Sequence, residues 1–299
     1  MRLSTIMIED RPRPAVRRSD GKLFALDLLL GGPTDLISVL SRDFPDEIDR
    51  LLDNPPDSAL ITGNPMPSTP FRNPRKILGI GLNYGAHAGD LGETAPRTTP
   101  ASFLKGEHTI IGPGEAIEVP AGIGKVTAEA EVGLVIGRYC HRVDVNEAMS
   151  YVAGIVAVLD QTAEGVLLEN PRYLTRVKNY PTFFAFGPEI ITMDEVIDRV
   201  GDLDNLRVST IHNGTVHRTD TVSGMTFSPA ELLSFHSRVM PFYPGDVLST
   251  GTPGAVGISE GDVVRCELGD GLSVLENPVA AGPVGEIMPA VASSSTPAP

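Results

Sequence analysis

Thr127-Ala128-Glu129-Ala130-Glu131-Val132-Gly133-Leu134-Val135-Ile136-Gly137 and, further along, Ile155-Val156-Ala157-Val158-Leu159-Asp160 decide how this chain folds. Both are apolar runs of strand-forming residues that carry carboxylates an apolar strand has no reason to hold. In an extended strand successive side chains point to opposite faces, so Glu129 and Glu131 project from the same one. Two adjacent like charges repel and resist burial unless something positive sits between them. Asp160 ends the second run abruptly. Three carboxylates delivered by apolar strands, with no Cys or His beside them, describe an oxygen-rich site for a hard cation, Mg²⁺ or Mn²⁺. The same residues also admit an exposed edge strand with solvated glutamates and an unrelated Asp at a strand end.

The composition narrows the class of protein around these strands. At 299 residues the chain is long enough for one large domain plus a small one. A net charge of −14 argues against nucleic acid or an anionic membrane as partner. Cys140 and Cys266 have no metal-binding spacing and read as reduced thiols of a cytoplasmic protein. No apolar run approaches the ~20 residues of a spanning helix, and the first ten residues do not read as a signal peptide. A soluble protein is expected.

Upstream of the carboxylate strands, residues 1–72 read as a small N-terminal α/β module. Arg2–Ile8, Ala15–Arg17 and Leu23–Leu28 look like short strands, and residues 35–40 and 47–52 have helical periodicity. Residues 64–70 form a proline-rich linker. The larger unit, residues 73–281, opens with a strand at Lys76–Gly81, and Asn83 to Asp90 follows as a loop or short helical turn. If helical, His87 and Asp90 stand three apart on one face, as a base and its orienting acid would; Glu93 is a second candidate acid. The plainer reading of His87 is a loop histidine capping backbone groups. Lys105, on the strand Phe103-Leu104-Lys105, could position a substrate, although lysines on strand edges are usually solvated. Asp144 to Tyr151 predicts a helix with Asp144 and Glu147 as a capping box. Asn213-Gly214 predicts a hairpin, and a helix is expected near Glu231 with Ser228-Pro229 at its start and His236 near its end. Residues 282–299, rich in Ala, Ser and Pro, read as a disordered tail.

Four motifs now stand in order: Gly81-Leu82-Asn83-Tyr84 with His87, the Glu129-x-Glu131 strand, the strand ending in Asp160, and Thr250-Gly251-Thr252-Pro253. With Phe103-Leu104-Lys105, Lys178 and Gly187-Pro188 also in register, the chain resembles the fumarylacetoacetate hydrolase family from about Lys76 to Pro278. The resemblance implies an α+β, mostly β fold, a mixed, rolled, barrel-like sheet with its site at an open end, usually as a homodimer. It implies one Mg²⁺ or Mn²⁺ on Glu129, Glu131 and Asp160. His87 would be the base that activates water, with Asp90 where relatives have Glu. Lys178, Tyr84, Lys105 and the Thr252 loop would hold the substrate's oxygens. Relatives place an Arg four residues beyond the Asp; here Glu164 stands there, which suggests a substrate lacking a carboxylate at that end. The implied activity is metal-dependent hydrolysis of a C–C bond in a small 1,3-dicarbonyl, acylpyruvate or β-diketone-like, by way of an enolate stabilised by the metal. The same site could serve decarboxylation, hydration or isomerisation of a 2-oxo acid. The departures at Asp90 and Glu164 also leave open a repurposed, non-catalytic member of a biosynthetic pathway.

Overall fold

The structure is a computed structural model that describes residues 1–41, 44–90 and 94–284. The strands that build the site are β1 (Arg2–Ile8), β2 (Ile77–Gly81), β3 (Ala101–Lys105), β4 (Val126–Ile136), β5 (Val152–Thr162), β6 (Phe184–Thr192) and β7 (Val247–Ser249). Their hydrogen-bonded order is β1-β6-β5-β4-β7-β2-β3, and Arg11–Arg17, Leu23–Ala25 and Leu60–Ile61 continue the sheet beyond β1. A second sheet orders Thr215–Thr221, Arg207–His212, Val263–Leu268, Ser273–Val284 and Ile117–Ala121. Both sheets mix antiparallel with parallel pairing. The fold is mixed α/β and mostly sheet, as expected, and neither sheet closes into a barrel.

β4 lies at the centre of the main sheet, and every one of its residues is buried. That decides between the two readings of the carboxylate strand: it is no edge. Its two faces meet different partners because side chains alternate. Ala128, Ala130, Val132 and Leu134 join Val208, Val264, Cys266 and Leu275 of the second sheet in one core. The opposite face, with Val135 of β4 and Val156 and Val158 of β5, packs with Leu3, Val16, Phe184 and Phe186. Glu129, Glu131 and Asp160 belong to this latter face by the same alternation. Gly133 lets β4 and β5 approach, since a Cβ there would meet methyls of Val156 and Val158 at 2.8 Å.

Several local expectations change. The strand expected over Leu23–Leu28 stops at Ala25, where Leu26–Leu29 turns helical to bury Leu26 and Leu29. Asp144 precedes a single turn, Val145–Ala148, and its side chain makes no cap; the capping box forms instead between Ser228 and Glu231. The Asn213-Gly214 hairpin forms, with both residues at positive φ as a type I′ turn requires. Ser273–Val284 carries strand structure past the expected start of the tail at residue 282, and residues 285–299 lie outside the described residues. Among the described residues no helix is long and apolar enough to cross a membrane.

Candidate active site

Antiparallel pairing sets Glu129 directly abreast of Asp160, and Glu131 follows on the same face. One ligand oxygen from each of the three carboxylates lies within 4.8 Å of the others. Glu131 and Asp160 are fully buried. Such a cluster needs counter-charge, and two lysines supply it. Lys178, at the end of the helix α1 (Leu174–Lys178), donates through Nζ to Asp160 Oδ2 at 2.7 Å, Glu129 Oε2 at 3.3 Å and Thr162 Oγ1 at 2.6 Å. Lys105 reaches Asp160 Oδ1 at 2.5 Å from the end of β3 and also donates to the carbonyls of Gln161 and Phe183. It is buried, contrary to the solvated strand-edge lysine that its sequence position suggests. A fourth contact steadies Lys178: the Phe103 ring centroid lies 4.3 Å from Nζ.

The remaining oxygens are held unevenly. Glu129 Oε1 accepts from Thr162 Oγ1 at 2.6 Å and Thr127 Oγ1 at 3.1 Å. Glu131 Oε2 accepts from Ser249 Oγ at 2.6 Å and from the Gly251 N–H at 2.9 Å. Glu131 Oε1 is buried with no partner among the described residues. Burial, reinforced by the charges of Asp160 and Glu129, pushes the Glu131 carboxyl up to about 8. Burial works against Glu129 as well, but Lys178, His87 and Thr162 outweigh it and hold that carboxyl below its ordinary value. Burial pulls Lys105 down to about 8 despite Asp160. Burial also opposes the Lys178 charge, yet Asp160 and Glu129 raise it overall. Three carboxylates against two ammonium groups leave a formal −1, which a proton on Glu131 removes.

An all-oxygen donor set with one buried, orphaned carboxylate oxygen fits a hard divalent ion, whose metal–oxygen bonds of about 2.0–2.6 Å place ligand oxygens at such separations. Glu129, Glu131 and Asp160 would hold it.

The expected base sits close by. His87 lies on Gly85–Asp90, a helix of the described chain, is buried, has no partner at Nδ1 among the described residues, and lies close enough to Glu129 to act on it. The side chain of Asp90 and all of Glu93 lie outside the described residues. Tyr84 is fully buried with a hydroxyl that has no partner among the described residues, and its pKa is raised by burial and then by Asp220 and Glu131. Asn83 fixes this segment: its amide donates to the carbonyls of Thr250 and Phe227 and accepts from the Phe227 N–H. Thr252 is buried, and its hydroxyl bonds within its own loop to the carbonyl and N–H of Gly254, both at 3.2 Å. Gly251 of that loop has φ +96°, and a Cβ there would meet Asn83 Cβ at 2.9 Å, so the position suits glycine.

Glu164 is half-buried and pairs with Lys125 Nζ at 2.8 Å. Its charge is met by a neighbouring cation. The sequence reading passed over Thr127, Thr162 and Ser249. The first two stand two residues from Glu129 and Asp160, so strand alternation alone would have placed their hydroxyls on the carboxylate face. Ser249 becomes visible only once β7 is laid beside β4, opposite Gly133.

With fold and site in view, the class is plain. Residues 76–280 match the family model described as fumarylacetoacetate (FAA) hydrolase, C-terminal. The chain belongs to the fumarylacetoacetate hydrolase family. It is 31% identical over 218 residues to the mitochondrial oxaloacetate tautomerase Fahd2a of Rattus norvegicus, covering 70% of this chain and 68% of that one. It is 35% identical over 207 residues to an uncharacterised protein of Methanocaldococcus jannaschii, covering 68% and 82%. Among solved structures, a fumarylacetoacetate hydrolase from Exiguobacterium antarcticum superposes with a TM-score of 0.80 at 27% identity, covering 94% of this chain and 99% of that one. A maleylpyruvate hydrolase from Sphingobium, solved with manganese(II) and pyruvate, gives 0.74 at 25% identity, covering 94% and 100%.

Proposed function

We propose that this protein is a divalent-metal-dependent hydrolase that cleaves a C–C bond of a small 1,3-dicarbonyl acid of the acylpyruvate kind. The observation that carries the reading is the buried triad with Glu131 Oε1 left unpartnered beside two lysines and the unpartnered Nδ1 of His87. A divalent ion on Glu129, Glu131 and Asp160 would supply Lewis-acid stabilisation of negative charge developing on substrate oxygens. It would also turn the formal total of triad and lysines from −1 to +1, which suits one substrate carboxylate. That reverses the preference for an uncharged substrate suggested by Glu164, because Glu164 is already met by Lys125.

The remaining roles follow from placement. Lys178 keeps its charge and lies where it can donate to a substrate oxygen once Asp160 turns to another partner. Tyr84 offers a protonated hydroxyl. His87 takes a proton from water; the hydroxide adds to the distal carbonyl carbon, the C–C bond breaks, and its electron pair becomes the enolate of the leaving fragment. Return of a proton to the enolate carbon gives a 2-oxo acid and a carboxylic acid.

Isomerisation of a 2-oxo acid is the second reading, favoured by the likeness to an oxaloacetate tautomerase. Product analysis separates the two. Incubation of an acylpyruvate with the Mg²⁺- or Mn²⁺-loaded protein should release pyruvate and a carboxylate, and chelation should stop it. Keto–enol exchange of oxaloacetate without any cleavage would replace hydrolysis by the second reading.

A further inference from the structure

Thr127 and Thr162 are abreast of each other on β4 and β5, two residues along from the Glu129–Asp160 pair and so on the same face. Both hydroxyls donate to one carboxylate oxygen, Glu129 Oε1, at 3.1 and 2.6 Å. The direction at Thr162 is fixed, because its oxygen also receives Lys178 Nζ at 2.6 Å and an ammonium can only donate. Glu131 repeats the pattern with donors from another strand. Its Oε2 accepts from Ser249 Oγ of β7 and from the Gly251 N–H, at 2.6 and 2.9 Å. The three hydroxyl-bearing residues are buried, out of competition with bulk water. A carboxylate oxygen has about two lone pairs, so Glu129 Oε1 and Glu131 Oε2 are each filled by protein donors. Each glutamate is left with one oxygen to offer. For Glu129 it is Oε2, which Lys178 meets at a longer 3.3 Å. For Glu131 it is Oε1, which has no partner among the described residues.

We propose that Thr127, Thr162 and Ser249 are specificity-determining residues that hold Glu129 and Glu131 to one ligand oxygen each and so select a small divalent ion over Ca²⁺. The inference rests on the triad being the metal site described above. Ca²⁺ takes roughly six to eight oxygens and often gains them by gripping both oxygens of a carboxylate. Mg²⁺ demands a near-octahedral set at about 2.0–2.1 Å and keeps several waters in it. Glutamates able to give one oxygen apiece starve the larger ion of ligands and deny the smaller one nothing. Because the hydroxyls stand on three paired strands, the restriction is built into the register of the sheet.

The test titrates chelator-stripped protein with Mg²⁺ and with Ca²⁺ by calorimetry and reads the ratio of the two affinities. Thr127→Val/Thr162→Val removes both hydroxyls at nearly constant shape and frees Glu129 Oε1. Mg²⁺ affinity should fall roughly 10–100-fold, as loss of a ligand's outer partners does, while Ca²⁺ loses far less or gains, so the ratio moves toward Ca²⁺ by about tenfold or more. Ser249→Ala should shift it the same way through Glu131, and decides alone if the double valine variant does not fold. Thr127→Ser/Thr162→Ser, which keeps the hydroxyls, should retain the wild-type ratio. Infrared difference spectra of the Ca²⁺-loaded valine variant should show a narrower splitting of the carboxylate stretches, the mark of two-oxygen ligation. If wild type binds neither ion, nor Mn²⁺, the metal-site reading fails and this inference with it. If wild type binds Mg²⁺ and the variants weaken both ions alike, the hydroxyls only support the fold and this inference alone is overturned.

Discussion

Replacing Glu131 by Gln exchanges an ionisable buried oxygen for a neutral amide of the same shape, whose carbonyl can still accept from Ser249 and Gly251. The effect on stability follows from the raised pKa. Because the folded state holds the Glu131 proton more tightly than the unfolded chain, its contribution is fully present below the ordinary 4.5 and is lost as pH rises through about 8. From pH 5.5 to 8 spans about 2.5 units, and at about 1.4 kcal/mol per unit the metal-free wild type should lose about 3 kcal/mol from this group. Lys105 does not cancel it, since its pull-down to about 8 changes stability only above that pH. The assay is urea unfolding with chelator at pH 5.5, 7 and 8.5 for wild type and Glu131→Gln. The variant should gain on wild type by about 3 kcal/mol across the range, and Mn²⁺ should restore the wild type alone. A wild-type-minus-variant difference that stays flat with pH refutes the reasoning.

Other expectations share the same geometry. Metal binding should release close to one proton at pH 6.5 and much less at pH 9, because Glu131 must ionise to ligate; calorimetry in buffers of different ionisation enthalpy measures this. His87→Ala should lower hydrolysis by roughly 10²–10⁴-fold with Mn²⁺ affinity retained, and unchanged hydrolysis would remove His87 from the mechanism. Asp160→Ala strands two buried ammonium groups and should cost about 3–5 kcal/mol in chemical denaturation. Gly79→Ala sets a methyl against the Phe103 ring that lies over its cross-strand partner. Overpacking there should cost about 1–3 kcal/mol and weaken Mn²⁺ binding through the displaced Phe103–Lys178 contact.

What could be read from sequence was what depends on short periods. The two-residue alternation placed Glu129 and Glu131 on one face, and Asn-Gly marked its hairpin, because each feature is settled within a few residues. Whether the carboxylate strand was an edge or a centre was not local: with β5 on one side of β4, it depends on β7, drawn from a distant part of the chain, lying on the other. Lys105 shows the same limit. Its sequence neighbours suggest a solvated strand-edge lysine, and only the folding of β3 against the far side of the sheet brings it to Asp160. Leu26 and Asp144 failed for a different reason. In each case an apparent propensity gave way to burial: a helical turn that hides Leu26, and a helix of one turn too short to need the Asp144 side chain.

The abreast pairing of Glu129 with Asp160 makes the site all-or-none with respect to insertions and deletions. Slipping β4 by a single residue would swing Glu129 and Glu131 into the apolar layer between the sheets and present Ala128 and Ala130 in their place. No intermediate register exists through which the centre could be tuned gradually. The loop 137–151 joins the two strands outside their pairing, so its length can drift without touching the carboxylates. Natural variation in length should therefore gather there, while β4 and β5 change by substitution alone.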